Sequence, residues 1–150
     1  MKHLIRLAAI ATLLTIFSVS CNKDEPAPVP VKADYSGTVT VTFRGTDYDT
    51  ENIQVNFTPS ADGTTADILI NKIKFVPQMP VTLDITIPGV TVTSVKDGFV
   101  LSGDGLIPLA MGGEFPQYTV MGLTGTISGN EINFSLQFGD YPTSYKGTKQ

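Results

Sequence analysis

The chain has 150 residues, a net charge of −4, one cysteine and no tryptophan. This length accommodates one domain once an N-terminal targeting segment is set aside. A single cysteine excludes an intramolecular disulfide, and an acidic balance without clustered Lys and Arg disfavours binding to nucleic acid.

The first predicted element is a signal peptide over residues 1–20. Lys2 and Arg6 give it a positive start, and residues 7–19 are mostly apolar. The apolar stretch is shorter than the roughly 20 residues that a membrane-spanning helix needs. Cleavage after residue 20 removes two positive charges and takes the net charge from −4 to −6.

The residues around Cys21, FSVSCNKDE, resemble the lipobox of bacterial lipoproteins. Ser20 is small, as that pattern requires before the cysteine, whereas Ser18 stands where leucine is usual. The resemblance implies cleavage before Cys21 and lipid attachment to its thiol, and acyl chains then anchor the protein to a membrane. The alternative is a secreted protein with an incidental thiol at the cleavage site.

The segment after Cys21 refines the predicted location. Lys23, Asp24 and Glu25 resemble the export signal of surface lipoproteins in the Bacteroidetes, which implies an outer-membrane protein that faces the cell exterior. The alternative is that these charges only keep the segment soluble. Three prolines within residues 26–32 predict an extended segment that joins no sheet. We therefore expect a lipidated Pro-rich tether over residues 21–34 and a domain over residues 35–150.

From Tyr35 onward, alternation with a period of two predicts an all-β domain. The predicted apolar faces comprise Val39, Val41 and Phe43; Ile53, Val55 and Phe57; and Val81, Leu83, Ile85 and Ile87. Ile68 and Ile70 are out of phase with Ile73 and Phe75, which predicts a bulge at residues 71–72. Turns are predicted at Asp62-Gly63, Pro88-Gly89, Asp97-Gly98, residues 103–105, Gly112-Gly113 and Gly129-Asn130. This spacing favours an antiparallel barrel or sandwich.

One hairpin is specified in detail if Gly129-Asn130 forms a two-residue II′ turn. The predicted pairs are Ile127 with Ile132, Gly125 with Phe134, Leu123 with Leu136, and Met121 with Phe138, with Thr126 and Asn133, and Thr124 and Ser135, on the opposite face. A shift by one residue would mix the two faces. The Asp97-Gly98 turn fits a two-residue or a three-residue loop equally well.

The order of the segments YSGTVTV, PSADGTTADI, GLTGTISGNEINFSL and YKGTK resembles the calycin-like β-barrel domain of Bacteroides-type lipoproteins. The resemblance covers residues 35–149. It implies an up-and-down barrel of about eight strands, similar to lipocalins, whose first and last strands pair. Such an interior holds side chains or one small ligand. The chain lacks the Gly-x-Trp signature of lipocalins, so their ligand chemistry is not carried over.

Catalysis is not expected. The only histidine, His3, is lost with the signal peptide, and Cys21 is lipidated, so nucleophilic triads and His/Cys zinc sites are excluded. A carboxylate pair remains possible by composition. Asp47, Asp49 and Glu51 alternate in a predicted loop and would suit calcium, but we favour an acidic hairpin tip. No cofactor or metal is predicted.

The candidate ligand-binding residues are the methionines and the aromatic residues of the most apolar loop, namely Met79, Met111, Phe115, Tyr118 and Met121. Methionine suits an adaptable apolar pocket, although ordinary core packing is the alternative. The sequence therefore predicts a non-catalytic binding module, with a small apolar ligand in the barrel. The alternative is an accessory subunit that binds an envelope protein through its outer face.

Overall fold

The computed structural model describes residues 28–150, so the predicted signal peptide, Cys21, Lys23, Asp24 and Glu25 lie outside the described residues. Residues 28–32 carry no secondary structure. The elements that follow are β1 (Ala33–Phe43), β2 (Thr46–Pro59), β3 (Thr65–Ile73), β4 (Leu83–Val95), β5 (Gly98–Gly103), β6 (Leu109–Ala110), β7 (Gly113–Glu114), a 3-10 helix (Pro116–Tyr118), β8 (Val120–Ser128), β9 (Glu131–Phe138) and β10 (Tyr141–Lys149). Within residues 28–150, no helix is long and apolar enough to cross a membrane.

Eight of these strands form a closed antiparallel barrel. The strands β1, β2, β3, β4, β5, β8, β9 and β10 pair in chain order, and β10 pairs with β1 to close the sheet. The hairpin formed by β6 and β7 is attached to the first half of β4. The predicted up-and-down barrel of about eight strands is therefore confirmed, and the sandwich alternative is wrong.

Alternating side chains of each strand fill the barrel. The predicted inward faces are correct for β1 and β2, where Val39, Val41, Ile53, Val55 and Phe57 are buried and Phe43 is half-buried. In β4 the alternation begins only at Leu83. Val81 is 60% exposed and precedes the strand, so its assignment to this face was wrong. Pro80, which has no N–H to donate to a ladder, keeps this segment in the connection before β4.

Four β-bulges bend the barrel wall, and three of them are completed by a carboxylate. In each of these three bulges one residue adopts a positive φ: 58° at Lys72, 68° at Gly89 and 59° at Gly122. The backbone N–H groups of these residues donate to Asp84 at 2.9 Å, Asp67 at 3.0 Å and Asp104 at 2.9 Å, respectively. A bulge leaves one residue out of the ladder, so these aspartates satisfy donors that the sheet leaves free.

Two sequence predictions concern these bulges. The bulge at residues 71–72 is confirmed, because the register shifts between Ile70 and Ile73 and both side chains point inward. The predicted turn at Pro88-Gly89 is wrong, because both residues lie inside β4. The positive φ that Pro-Gly supplies in a turn serves a bulge here.

The hairpin of β8 and β9 has the predicted turn at Gly129-Asn130. Ile127 pairs with Ile132, and Gly125 pairs with Phe134, as predicted. A Cβ on Gly125 would collide with the backbone of Asn133 and with Phe134, so glycine is required there. The predicted pair of Met121 with Phe138 is wrong, since the bulge at Gly122 places Val120 opposite Phe138.

Two other turns lie one residue earlier than predicted. Lys96 and Asp97 form the turn between β4 and β5, and Gly98 pairs with Val95. Met111 and Gly112 form the turn between β6 and β7, and Gly113 pairs with Ala110. The second residue of each predicted dipeptide, Gly98 or Gly113, therefore begins the following strand.

The two ends of the barrel differ in the chain segments that cover them. β1 begins at Ala33, so the N-terminal segment enters at one end, which we call the tether end. Pro30 is buried beside the β2–β3 turn at this end, close to Gly63. Because successive strands run in opposite directions, the β1–β2, β3–β4, β5–β8 and β9–β10 connections lie at the other end, the distal end.

Candidate functional site

A cluster of aromatic rings closes the distal end of the barrel. Each ring lies in or beside one of the four connections at that end; the residues are Phe43, Phe75, Phe115, Tyr118 and Tyr141. We call these five residues, together with Met79, the aromatic end. Tyr141 has its ring centroid 5.4 Å from that of Phe75 and 6.3 Å from that of Phe43. The rings therefore join all four connections in one apolar surface.

Three of the rings form a stack. Tyr118 lies on Phe75 with centroids 4.4 Å apart and planes 15° apart, and Phe115 lies on Tyr118 at 5.4 Å and 1°. The 3-10 helix that begins at Pro116 positions the two outer rings, because one turn of backbone separates Phe115 from Tyr118. Phe75 is buried, whereas Phe115 and Tyr118 are partly exposed. The stack thus runs from the core to the surface.

A methionine and an arginine border the rings. The Met79 sulfur accepts a hydrogen bond from the backbone N–H of Phe75 at 3.4 Å, which holds the β3–β4 connection against the stack. The Arg44 guanidinium lies 5.0 Å from the centre of the Phe43 ring. This distance is within the range of a cation–π interaction. The aromatic end therefore combines polarisable apolar surface with the cationic side chain of Arg44 at its rim.

Beneath the aromatic end, the barrel interior is filled by its own side chains. Inward residues from every barrel strand are buried, and many have no exposed surface at all, including Val39, Ile70, Ile85, Ile132 and Phe138. A ligand at the centre of the barrel has no space in this conformation. The prediction of a ligand inside the barrel is therefore not supported by the packing of its interior.

The structure brings together three of the five predicted ligand-binding residues. Met79, Phe115 and Tyr118 belong to the aromatic end. Met111 is 78% exposed at the tip of the β6–β7 hairpin, and Met121 is 45% exposed on the outer wall. These two methionines do not contribute to the aromatic end.

Three residues of the aromatic end were missed by sequence reasoning: Phe43, Phe75 and Tyr141. These residues could be recognised only from the topology of the barrel, because each lies within three residues of the end of a strand at the distal end. Assigning each turn to one end of the barrel would group them with Phe115 and Tyr118.

The three acidic residues of the predicted hairpin tip, Asp47, Asp49 and Glu51, lie in β2 rather than in a loop. Asp47 and Asp49 accept hydrogen bonds from the hydroxyls of Thr42 and Thr40, both at 2.6 Å. Within residues 28–150, no three His, Cys, Asp or Glu side chains come together as metal ligands. Hydrogen bonds from Ser60 and Thr64 lower the pKa of Asp62 from 3.8 to about 2.

One tyrosine is fixed inside the barrel near the tether end. The Tyr145 hydroxyl donates to the backbone carbonyl of Ile53 at 3.0 Å, and its ring lies over Gly147, where a Cβ would overlap it. Burial raises the pKa of Tyr145. The hydrogen-bonded phenol spans the seam where β1 and β10 close the barrel, so we assign it a structural role.

The outer wall carries a shallow concavity of about 610 Å³ over β1, β10, β9 and β8. Many of its lining residues have short polar side chains, among them Thr38, Thr40, Thr124, Thr126, Asn133, Ser135 and Ser144. The concavity arises because these outward positions carry small residues, and Val100, Phe134 and Tyr145 add apolar surface to its lining. The rings of Phe134 and Tyr145 are buried, whereas those of the aromatic end reach the surface, so we take the aromatic end as the candidate site.

The fold and the aromatic end together define a class of protein: a closed eight-stranded antiparallel barrel suited to act as a binding module for small ligands. A sequence model of the calycin-like beta-barrel domain matches residues 31–148, and the chain belongs to this family. Searches of curated proteins and of solved structures gave no match.

Proposed function

We propose that the protein is a lipid-anchored outer-membrane protein of the cell surface whose barrel binds a small apolar ligand, without catalysis, at the aromatic end. The observation that carries this proposal is the ring stack that runs from buried Phe75 to partly exposed Phe115. A surface-reaching stack of this kind offers flat apolar faces to a ligand. The Arg44 guanidinium at the rim would favour a ligand that carries a negative group.

The location follows from the resemblance of the residues around Cys21 to a lipobox and of Lys23, Asp24 and Glu25 to a surface-export signal. The barrel geometry agrees with this arrangement, because the chain enters at the tether end and the aromatic end lies opposite. A ligand site at the distal end would face away from the anchoring membrane.

The anchor is tested by fractionation of cells that express the Cys21→Ala variant. We expect this variant in the soluble fraction, since the acyl chains have no attachment point. Recovery of the variant with the membranes would contradict the anchor. Protease accessibility of the unmodified protein on intact cells tests the outward orientation separately.

The ligand site is tested with anilinonaphthalene sulfonate, an apolar fluorescent anion, as the probe. We expect saturable binding to the purified protein and about tenfold weaker binding to Phe115→Ser, which removes the outer ring of the stack. The matched control is Val95→Ser, which removes an exposed apolar side chain at the tether end. Equal weakening in both variants, or an absence of saturable binding, would contradict the site.

The second candidate function is an accessory subunit that binds an envelope protein through its outer face. The filled interior and the exposed side chains of Ile107, Leu109 and Met111 favour it. Co-purification of one envelope protein in constant ratio, with no bound small molecule, would support this function over the first.

A further inference from the structure

The barrel wall between β4 and β8 is built differently in its two halves. In the half near the tether end, β5 pairs with both of these strands. β5 ends at Gly103, and residues 106–119 take its place in the distal half. Among the described strands, this segment pairs with β4 through Leu109 and Ala110 alone. The distal half of the wall is therefore attached to β4 by a much shorter ladder.

The two ends of this segment are held together beside β8. Leu106 and Val120 exchange two backbone hydrogen bonds, at 3.1 and 2.7 Å. Next to this pair, the carbonyl of Thr119 accepts a hydrogen bond from the Gly139 N–H at 3.1 Å, at the β9–β10 turn. A loop of about 6–16 residues with adjoining ends has the form of an Ω-loop. The base of this loop is therefore fixed to the barrel.

Beyond this base, residues 107–118 have few attachments, and we call them the distal loop. Pro108 and Ala110 are its only buried residues. The Phe115 N–H donates to the Pro108 carbonyl at 2.8 Å, and the 3-10 helix follows, so the loop has hydrogen bonds of its own. Segments with few buried apolar side chains open at a lower free-energy cost than core strands. We therefore expect the distal loop to open as a unit about its base while the barrel strands stay paired.

The distal loop carries two rings of the aromatic end. Tyr118 lies on Phe75 with centroids 4.4 Å apart, and Phe115 lies on the Tyr118 ring in turn. Phe75 belongs to the β3–β4 connection and is 1% exposed. The contact between the loop and this connection is thus a stack of two flat faces. Outward movement of the loop separates these faces and exposes Phe75.

We propose that the distal loop is a lid for the ligand site, and that the ligand inserts a flat apolar ring between Phe75 and Tyr118. This inference rests on the proposed ligand site at the aromatic end and names the motion that opens that site. Opening is required because the closed barrel has no space for a ligand beneath the rings. A flat ring suits the gap because the two faces are only 15° from parallel, and closure of the loop then stacks an aromatic face on each side of it.

Opening is measured by thiol labelling of full chains that carry Cys21→Ala, so that each variant holds one cysteine. Ala110→Cys places a buried thiol in the distal loop, and Ala66→Cys places a buried thiol in β3 as the matched control. We expect dithionitrobenzoate to label Ala110→Cys at least about tenfold faster, because local opening exposes it. Equal labelling rates for the two thiols in the folded variants would overturn the lid.

A disulfide then tests whether opening admits the ligand. Thr86 and Leu109 are ladder partners on the outer face, and such partners have Cα atoms about 4.5–5.5 Å apart, a distance that a disulfide spans. In the variant Cys21→Ala/Thr86→Cys/Leu109→Cys, oxidation ties the distal loop to β4. The control variant carries Cys21→Ala with Thr91→Cys and Ser102→Cys, which tie β4 to β5.

The probe for both disulfide variants is anilinonaphthalene sulfonate, which has a flat naphthalene ring. We expect oxidation of the loop disulfide to weaken its binding by at least about tenfold relative to the reduced form, and oxidation of the control disulfide to leave it unchanged. Saturable binding of equal affinity to the oxidised and reduced loop variant would overturn the lid and leave the proposed function intact. Absence of saturable binding to the wild type would instead contradict the proposed function, and the lid with it.

Discussion

Asp62 lies in the β2–β3 turn, where its carboxylate accepts hydrogen bonds from the Ser60 hydroxyl at 2.7 Å and from the Thr64 backbone and hydroxyl at 3.0 and 2.8 Å. These bonds, chiefly that from Ser60, lower the pKa of Asp62 to about 2 from its usual 3.8. A lowered pKa means that the folded state favours the ionised form. The resulting stability is present above the usual pKa and is lost as the pH falls through the lowered one.

Replacement of this carboxylate tests the pH dependence. Asp62→Asn should have a lower Tm than the wild type at pH 7. The difference should shrink as the pH falls from about 4 to about 2, because protonation removes the same charge from the wild type. Thermal unfolding at several pH values measures it. Asp97→Asn, in a turn at the same end, is the control, and a pH-independent difference for Asp62→Asn would be the contrary result.

Gly125 is a second position where one residue controls local packing. Its place opposite Phe134 leaves no room for a methyl group, so Gly125→Ala should destabilise the domain by about 1–3 kcal/mol. Urea unfolding gives the free-energy difference. Ser128 is exposed near the end of the same strand, so Ser128→Ala is the control and should change stability little. An equally small change in Gly125→Ala would contradict the close packing of Gly125 against Phe134.

At the scale of elements, three of the four bulges explain why aspartates occupy particular positions. Asp67, Asp84 and Asp104 each accept a hydrogen bond from a backbone N–H that the ladder leaves free. Bulges raise local twist and help a sheet close into a barrel. These carboxylates therefore support the curvature of the wall, which is a structural role.

The bulge at Lys72 provides the test of this role. Asp84→Ala should lower the free energy of unfolding by about 1 kcal/mol, because the Lys72 N–H loses its acceptor. Asp84→Asn keeps an oxygen acceptor and should cost less. Urea unfolding measures the free energy of unfolding of both variants. Glu131→Ala, at an exposed strand position, is the control. Equal effects of the alanine and asparagine variants would contradict a hydrogen-bonding role.

The turns and bulges also show which local features can be predicted from the sequence. The turn at Gly129-Asn130 could be predicted because polar and apolar residues alternate in phase on both sides of it. Pro88-Gly89 could not be recognised as a bulge, because the same dipeptide suits a turn and a bulge equally well. The bulge at Gly122 shifts the register of β8 against β9. The sequence did not indicate this bulge, so the predicted pairing of Met121 was wrong.

For the whole molecule, sequence predicted the barrel but only part of the candidate site. Met79, Phe115 and Tyr118 were found because they lie in apolar, loop-like segments. Phe43 and Tyr141 were missed because each lies in a strand beside a tight turn, and only closure of the barrel brings those turns together. The filled interior could not be predicted either, since alternation indicates which side chains point inward but not whether they leave a space.

The central claim is that the barrel binds a small apolar molecule at the aromatic end. Native mass spectrometry of the protein purified gently from its host tests this claim most directly, with Phe115→Ser and Val95→Ser purified in parallel. We predict one co-purifying small-molecule mass on the wild type and on Val95→Ser, and its loss from Phe115→Ser. Reproducible absence of a bound mass from the wild type, or its retention by Phe115→Ser, would contradict the claim.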